Sequence, residues 1–272
     1  MTGLKHISTV FQSTQTAGRS ALMPYFTLGY PDAQTSLEII EAIANSGADL
    51  IEIGIPFSDP LADGPTIQHS TQIALEQGMT VAGCLALTAK LRARGVEQPL
   101  ILMGYVNPIL AFGIERFVAE AAAAGADAFI VPDLPPEEAE AMWTACMEHQ
   151  LALIFMLAPT STSERMTKVL EQSAGFVYLV SLIGVTGART ELPEGLQTFV
   201  QGVRARTPLP LAVGFGVSTP DQARAVGSIA EGVIVGSALI NAVDSAENLP
   251  QAAGAFVSAL RTALEPSERI LP

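Results

Sequence analysis

Eight short apolar runs, each but the sixth followed within a few residues by a clear helical pattern, most narrow the folds open to this chain. They fall near residues 22–28, 49–55, 99–104, 127–132, 151–157, 176–181, 209–215 and 232–236. Eight strand–helix units in succession imply a parallel sheet that closes on itself. The runs LIEIGI, LILMG, AFIVP, LIFML, FVYLVS and GVIVG lack strict polar alternation. That absence is expected of parallel strands buried on both faces.

Helix punctuation agrees with this register. Pro135-Pro136-Glu137-Glu138 places prolines and acids where the helix after strand four should open, and Ser161-Thr162-Ser163-Glu164-Arg165 opens the next. Gly47-Ala48-Asp49 before strand two recurs as Gly125-Ala126-Asp127 before strand four. The echo is read as shared turn chemistry, the glycine ending the preceding helix in a left-handed conformation. Leu4, Ile7, Val10 and Phe11 share one face of an extra amphipathic helix that could plug one end of the barrel. With 272 residues, 49% of them hydrophobic, the chain can bury a large core. Closed barrels reach about 250 residues without splitting, so one domain is expected over 1–272. The expected fold class is α/β: a single (β/α)8 TIM barrel with an extra N-terminal helix and a short phosphate-binding helix after strand eight.

A net charge of -13 argues against nucleic acid or an anionic membrane as partner. A small anionic substrate is still allowed, because helix N-termini act locally. Two cysteines, Cys84 and Cys146, with no metal-ligand spacing, predict neither a disulfide framework nor a metal site. His6, His69 and His149 are scattered and read as surface or helix residues, His69 being of most interest because it follows an acidic loop. The first residues lack a charged segment leading into an apolar one, and no apolar run approaches the roughly 20 residues of a membrane span. A cytoplasmic protein is expected.

The second strand carries the chemistry. In Asp49-Leu50-Ile51-Glu52-Ile53-Gly54-Ile55 the side chains alternate, so Glu52 shares a face with Leu50 and Gly54 and points into largely apolar space. Burial raises a carboxyl's proton affinity toward the range useful for acid/base work. The alternative is a structural glutamate paired with an arginine or lysine. Asp63, on the Pro-rich loop that follows, could fold back over the mouth to meet a ring N–H, or be a solvated turn residue.

Barrels of this kind work at their C-terminal face and often hold phosphate after strands seven and eight. Gly214-Phe215-Gly216-Val217-Ser218 and Val235-Gly236-Ser237-Ala238-Leu239-Ile240 stand there, with Ser237 at a helix start. Carrying the face of Glu52 around the barrel places Tyr25, Met103, Ile130, Met156, Tyr178 and Phe215 near the mouth, a wall suited to a flat aromatic ring; each could equally be ordinary core. Gly184-Val185-Thr186-Gly187, after strand six, reads as a lid with glycine hinges or as an irregular connection.

The segments PYFTLGYPD, GADLIEIGIPFSDPLADGPTIQ, LMGYVNPI, VPDLPPEEA, FVYLVSLIGVTGAR, GFGVSTPDQ and VIVGSALI span nearly the whole chain. In this order they resemble the alpha subunit of tryptophan synthase. The resemblance implies a barrel lyase that cleaves indole-3-glycerol phosphate to indole and glyceraldehyde 3-phosphate. The indole would pass through a tunnel to a beta subunit that holds pyridoxal phosphate, in an alpha2beta2 tetramer, with no cofactor in this chain. It implies Glu52 as the acid/base carboxylate, Asp63 as the group that binds the indole N–H, and Tyr178 as the active-site tyrosine. Thr186 matches the lid threonine, and Gly187, Gly216, Gly236 and Ser237 match phosphate-binding positions. Tyr25, Met103, Ile130 and Phe215 join them as substrate-wall residues. Tyr30 stands where many members have aspartate, and Leu182-Ile183 replace more polar residues of some relatives.

Cleavage needs a proton at indole C3, a counter-charge for the ring nitrogen, and a base for the glycerol hydroxyl. A related synthase would call for a lysine acid, yet none of Lys5, Lys90 and Lys168 lies at a strand C-terminal end. A purely regulatory barrel is disfavoured by the presence of both carboxylates. A stand-alone lyase releasing free indole would carry the same motifs.

Overall fold

The computed structural model describes residues 3–180, 195–214 and 216–266. The strands are β1 (Ala21–Thr27), β2 (Ile51–Gly54), β3 (Leu100–Met103), β4 (Ala128–Ile130), β5 in two pieces (Ala152–Ile154 and Met156–Leu157), β6 (Val177–Val180), β7 (Leu211–Gly214) and β8 (Gly232–Val235). All pairings are parallel, and the two ends of the sheet are the two pieces of β5, separated only by Phe155. The sheet therefore closes into an eight-stranded barrel.

Its stagger follows from the register. From Tyr25 the pairs run through Glu52, Ile101, Ala128 and Ala152. Resuming four residues along β5 at Met156, they run through Tyr178, Ala212 and Gly232 to Ala21, four residues short of the start. Two offsets of four make a stagger of eight, that of a (β/α)8 barrel. Every step is even, so all these side chains share the interior face.

The helices agree with the sequence reading, with two adjustments. The Pro136–Glu138 segment forms a 3-10 turn, and the α-helix proper starts at Glu140. Pro135 and Pro136 cannot donate backbone N–H groups, which leaves a tight turn as the chain's entry to that helix. The sixth unit does acquire a helix, Leu196–Arg204. The opening of the preceding helical unit is as expected, with the Thr162 side chain capping the helix Ser163–Gln172 at the Arg165 N–H. The N-terminal helix Leu4–Thr16 plugs the N-terminal end of the barrel: Ile7 is fully buried, and the Phe11 ring packs 5.6 Å from Phe176, just before β6.

The Gly-Ala-Asp echo is a structural device at this lower end. Gly47 and Gly125 both have positive φ, 101° and 91°. Asp49, before β2, accepts from the Leu22 N–H of β1 at 2.9 Å and pairs with Arg19 and Arg261. Asp127, before β4, accepts from the Leu100 N–H of β3 at 2.9 Å and pairs with Arg92, and it also takes the Gly3 N–H and His6. Glu231, before β8, is a third member, accepting from the Leu211 N–H of β7 and pairing with Arg204. Each acid ties the start of one strand to its neighbour, and the paired cation limits the cost of burying the charge. This end of the barrel is built for stability, and the opposite end is open to chemistry.

Candidate active site

Glu52 sits on β2 with 3% of its surface exposed, facing the barrel interior between Tyr25 and Ile101. Its Oε2 has no hydrogen-bond partner, and among the described residues no arginine or lysine pairs with it. The structural ion-pair alternative thus finds no cation among the described residues. Burial first, and the nearby charge of Asp63 second, push the carboxyl up to about 8.

Asp63 is brought over the same mouth by its loop. Its N–H donates to the Pro60 carbonyl and its own carbonyl accepts from Gln68. Tyr105, which follows β3, accepts from the Ala62 N–H at 3.1 Å and hydrogen-bonds the Asp63 carboxylate. Burial raises Asp63 to about 6, with the Tyr105 phenol pulling the other way. Tyr105 is a site residue that the sequence reading missed. It belongs to LMGYVNPI, directly after a strand, and that position at a C-terminal strand end is the signal that could have found it.

The wall is assembled from the same interior face. Met103 pairs with Gly54 and with Ile130, and Met156 pairs with Tyr178. Ile130 is fully buried and Met103 nearly so, whereas Tyr178 and Met156 are half-buried. Gly54 and Gly214 make room for the two tyrosines: a Cβ at either would collide with the phenol of Tyr25 or Tyr178, respectively. Small residues on β2 and β7 thus let two phenol rings enter the barrel. Both hydroxyls are raised well above the usual tyrosine value, chiefly by burial and then by the two carboxylates, and stay protonated.

After β8, Gly236 starts the helix Ser237–Asp244, whose N-terminus has no side-chain cap. Gly236, Ser237 and Ala238 are partly exposed, and the first N–H groups of such a helix lack intrahelical partners. Gly216 has φ 71°, a conformation that favours glycine. Thr186, Gly187 and Phe215, with the rest of the lid at 184–187 and Leu182-Ile183, lie outside the described residues. His69 is exposed on the helix Pro65–Glu76 and meets the edge of Tyr30 rather than the carboxylates. Tyr30 donates to Asp244. Among the described residues, no group of three or more His, Cys, Asp or Glu could hold a metal ion, and no helix is long and apolar enough to cross a membrane.

Fold and site together define a (β/α)8 barrel of the enzyme type, with two carboxyls of raised proton affinity at its C-terminal mouth. Comparison with known proteins makes the class specific. A family model described as "Tryptophan synthase alpha chain" matches residues 11–266. The chain is 47% identical to the tryptophan synthase alpha chain of Chloroflexus aggregans, covering 98% of this chain and 100% of that one. It is 51% identical to that of Chloroflexus aurantiacus over 91% of this chain and 92% of the relative. Among solved structures, Mycobacterium tuberculosis tryptophan synthase superposes with a TM-score of 0.90 at 38% identity, covering 98% of this chain and 100% of that chain. The alpha chain from Legionella pneumophila gives 0.90 at 36% identity, over 97% and 99%. The chain belongs to the tryptophan synthase alpha chain family and is a carbon–carbon lyase of tryptophan biosynthesis.

Proposed function

We propose that Glu52 and Asp63 carry out this family's cleavage of indole-3-glycerol phosphate to indole and glyceraldehyde 3-phosphate. The observation that carries the assignment is the partnerless, buried Glu52 carboxyl at about 8, beside Asp63 at about 6. Near neutral pH the first is a neutral acid and the second an anion. Glu52 protonates indole C3, and the ring nitrogen becomes positive within reach of the Asp63 carboxylate. The bond from C3 to the glycerol chain then breaks, its electron pair returning to the ring. The glycerol hydroxyl gives up its proton as the aldehyde forms, and the Glu52 carboxylate takes it, restoring the acid. Tyr25, Met103, Ile130 and Tyr178 would flank the ring, with Phe215 and the lid threonine Thr186 as further proposed substrate-binding residues.

Gly187, Gly216, Gly236 and Ser237 are the proposed phosphate grip, holding the remote end so that orientation is fixed before chemistry. Gly236→Asp sets a carboxylate at that helix start. Affinity for glycerol phosphate should fall by about tenfold or more while bare indole binds as before; equal loss for both ligands, measured by calorimetry, places the phosphate elsewhere.

Residues 1–272 would act as one cytoplasmic domain, with pyridoxal phosphate confined to a beta partner in an alpha2beta2 assembly. Leu61, 90% exposed on the acidic loop, and Leu110, 55% exposed on the helix Val106–Phe112 that carries Asn107-Pro108, supply apolar contact for that partner beside the mouth. Tyr105 links this face to Asp63. A partner that stabilises the arrangement of this loop raises turnover, and by reciprocity a glycerol-phosphate ligand tightens association. Titration of the chain with a beta subunit, with and without glycerol phosphate, reads both. Full activity alone together with ligand-independent association would favour a stand-alone lyase.

A further inference from the structure

The helix Ser237–Asp244 is tied to the barrel at the end opposite its uncapped N-terminus. Asp244, its last residue, accepts a hydrogen bond from the phenol of Tyr30, which stands in the connection after β1. A carboxylate at that position meets the negative end of the helix dipole, and the last turn carries no basic residue to offset it. The phenol supplies the compensation. Among the described hydrogen bonds it is the only partner of the Asp244 side chain, and this bond is the only one by which a side chain joins the helix to another element. Leu239, Ile240 and Val243 seat the helix on the core, but apolar contact has no direction of its own.

Tyr30 is itself firmly held. It is buried, with Phe26 of β1 and His69 of the helix Pro65–Glu76 against its ring at centroid distances of 6.1 and 6.4 Å. Its N–H donates to the Thr27 carbonyl at the end of β1, and the Gly29 N–H donates to the Ser36 hydroxyl. Burial first, and then the bond to Asp244 and its charge, raise the phenol well above the usual tyrosine value, so it keeps its proton as a donor.

We infer that Tyr30 is a positioning residue for the helix Ser237–Asp244, holding its last turn so that the free N–H groups of its first turn keep one direction. An eight-residue helix is about 12 Å long, and a stiff rod anchored at one end is aimed at the other. The inference rests on the reading of Gly236 and Ser237 as part of the phosphate grip. The sign of the effect separates an anchor from a charge. At about 12 Å, beyond a Debye length of roughly 8 to 10 Å, the Asp244 carboxylate acts only weakly on an anion at the helix start, and what acts is repulsion. Removing the charge alone would therefore tighten phosphate slightly, whereas removing the anchor loosens it.

Tyr30→Phe keeps the ring between Phe26 and His69 and deletes the bond; Asp244→Ala deletes it from the other side. Calorimetry on the full chain should show each weakening glycerol phosphate by about threefold to tenfold, part of what a hydrogen bond to a charged group contributes, with bare indole binding as before. The Michaelis constant for indole-3-glycerol phosphate should rise by the same factor, with kcat within about twofold of wild type. The double variant should be no weaker than either single one, because both remove the same bond. Asp244→Asn, whose amide oxygen still accepts from the phenol, should restore wild-type affinity. Without ligand, the Ser237 and Ala238 amide resonances of the 15N-labelled chain should move in Tyr30→Phe and Asp244→Ala and return in Asp244→Asn. Unchanged or tighter phosphate binding in the two single variants, additive losses in the double one, or an equal loss in Asp244→Asn overturns the inference. If wild type and Gly236→Asp bind glycerol phosphate alike, the phosphate reading of this helix fails instead. The amide resonances then decide the anchor by themselves: movement as stated supports it, and unmoved resonances overturn it.

Discussion

Glu52→Gln is expected to lower the rate of indole release by about 100-fold or more and, at the same time, to make the protein more stable at alkaline pH. The activity loss follows from removing the one group placed to pass a proton between solvent-excluded substrate atoms; general acid/base contributions are about 10² to 10⁴. The stability gain follows from the same burial. Below about pH 4.5, the ordinary value for this carboxyl, it is protonated in both folded and unfolded chains and costs nothing. As pH rises toward about 8, the unfolded chain releases the proton freely while the folded chain must hold it or bury a charge. Wild-type stability therefore declines across that window, and glutamine, which never ionises, escapes the decline by up to roughly 4 kcal/mol at pH 8. Urea unfolding of both proteins at pH 5 and pH 8, with turnover assayed alongside, checks the pair of outcomes. A folded variant with near-native turnover removes Glu52 from the mechanism. An inactive variant with no stability gain means that the carboxyl is less isolated than its environment indicates.

Such a trade of stability for function is visible in the sequence because it breaks a local rule. Glu52 is the lone charge in LIEIGI, and the alternation of a strand is enough to aim it inward. The eight strands were legible for a related reason, since burial on both faces leaves apolar runs too short for helices. What could not be read depends on contacts between distant segments. Tyr105 meets Ala62 across 43 residues, and Thr27 meets Ser70 across the same separation. No periodicity encodes either. The third acid of the lower-end device, Glu231, escaped because Ala230-Glu231-Gly232 lacks the Gly-Ala-Asp frame, although it makes the same bond to a neighbouring strand's N–H. The break in β5 at Phe155 and the 3-10 turn at Pro136 were likewise invisible, as both are local adjustments within segments whose overall pattern is regular.

Asp63→Asn is expected to reduce turnover by about 10² to 10³, with a much smaller effect on the Michaelis constant. In the ground state the indole N–H is neutral and asparagine can still accept its hydrogen bond. As C3 becomes tetrahedral the nitrogen acquires positive charge, and only a carboxylate answers it; losing one preorganised electrostatic partner has that order of effect. The pH profile separates this role from mere shape. With Asp63 at about 6 needed as an anion and Glu52 at about 8 needed as an acid, kcat/KM should rise through about pH 6, level, and fall through about pH 8. Asparagine has nothing to titrate, so its residual activity should lose the acid limb and keep the alkaline one. Removing the Asp63 charge also relieves the repulsion that raises Glu52, so the surviving limb should move to lower pH. Tyr105→Phe supplies the control: it leaves the carboxylate in place but frees it from the phenol and from the anchored Ala62 N–H. Its acid limb should persist and move up, because the hydrogen bond that favours the anion is gone. If instead Asp63→Asn weakened the Michaelis constant alone and kept both limbs, Asp63 would be a binding group that the charge development never reaches.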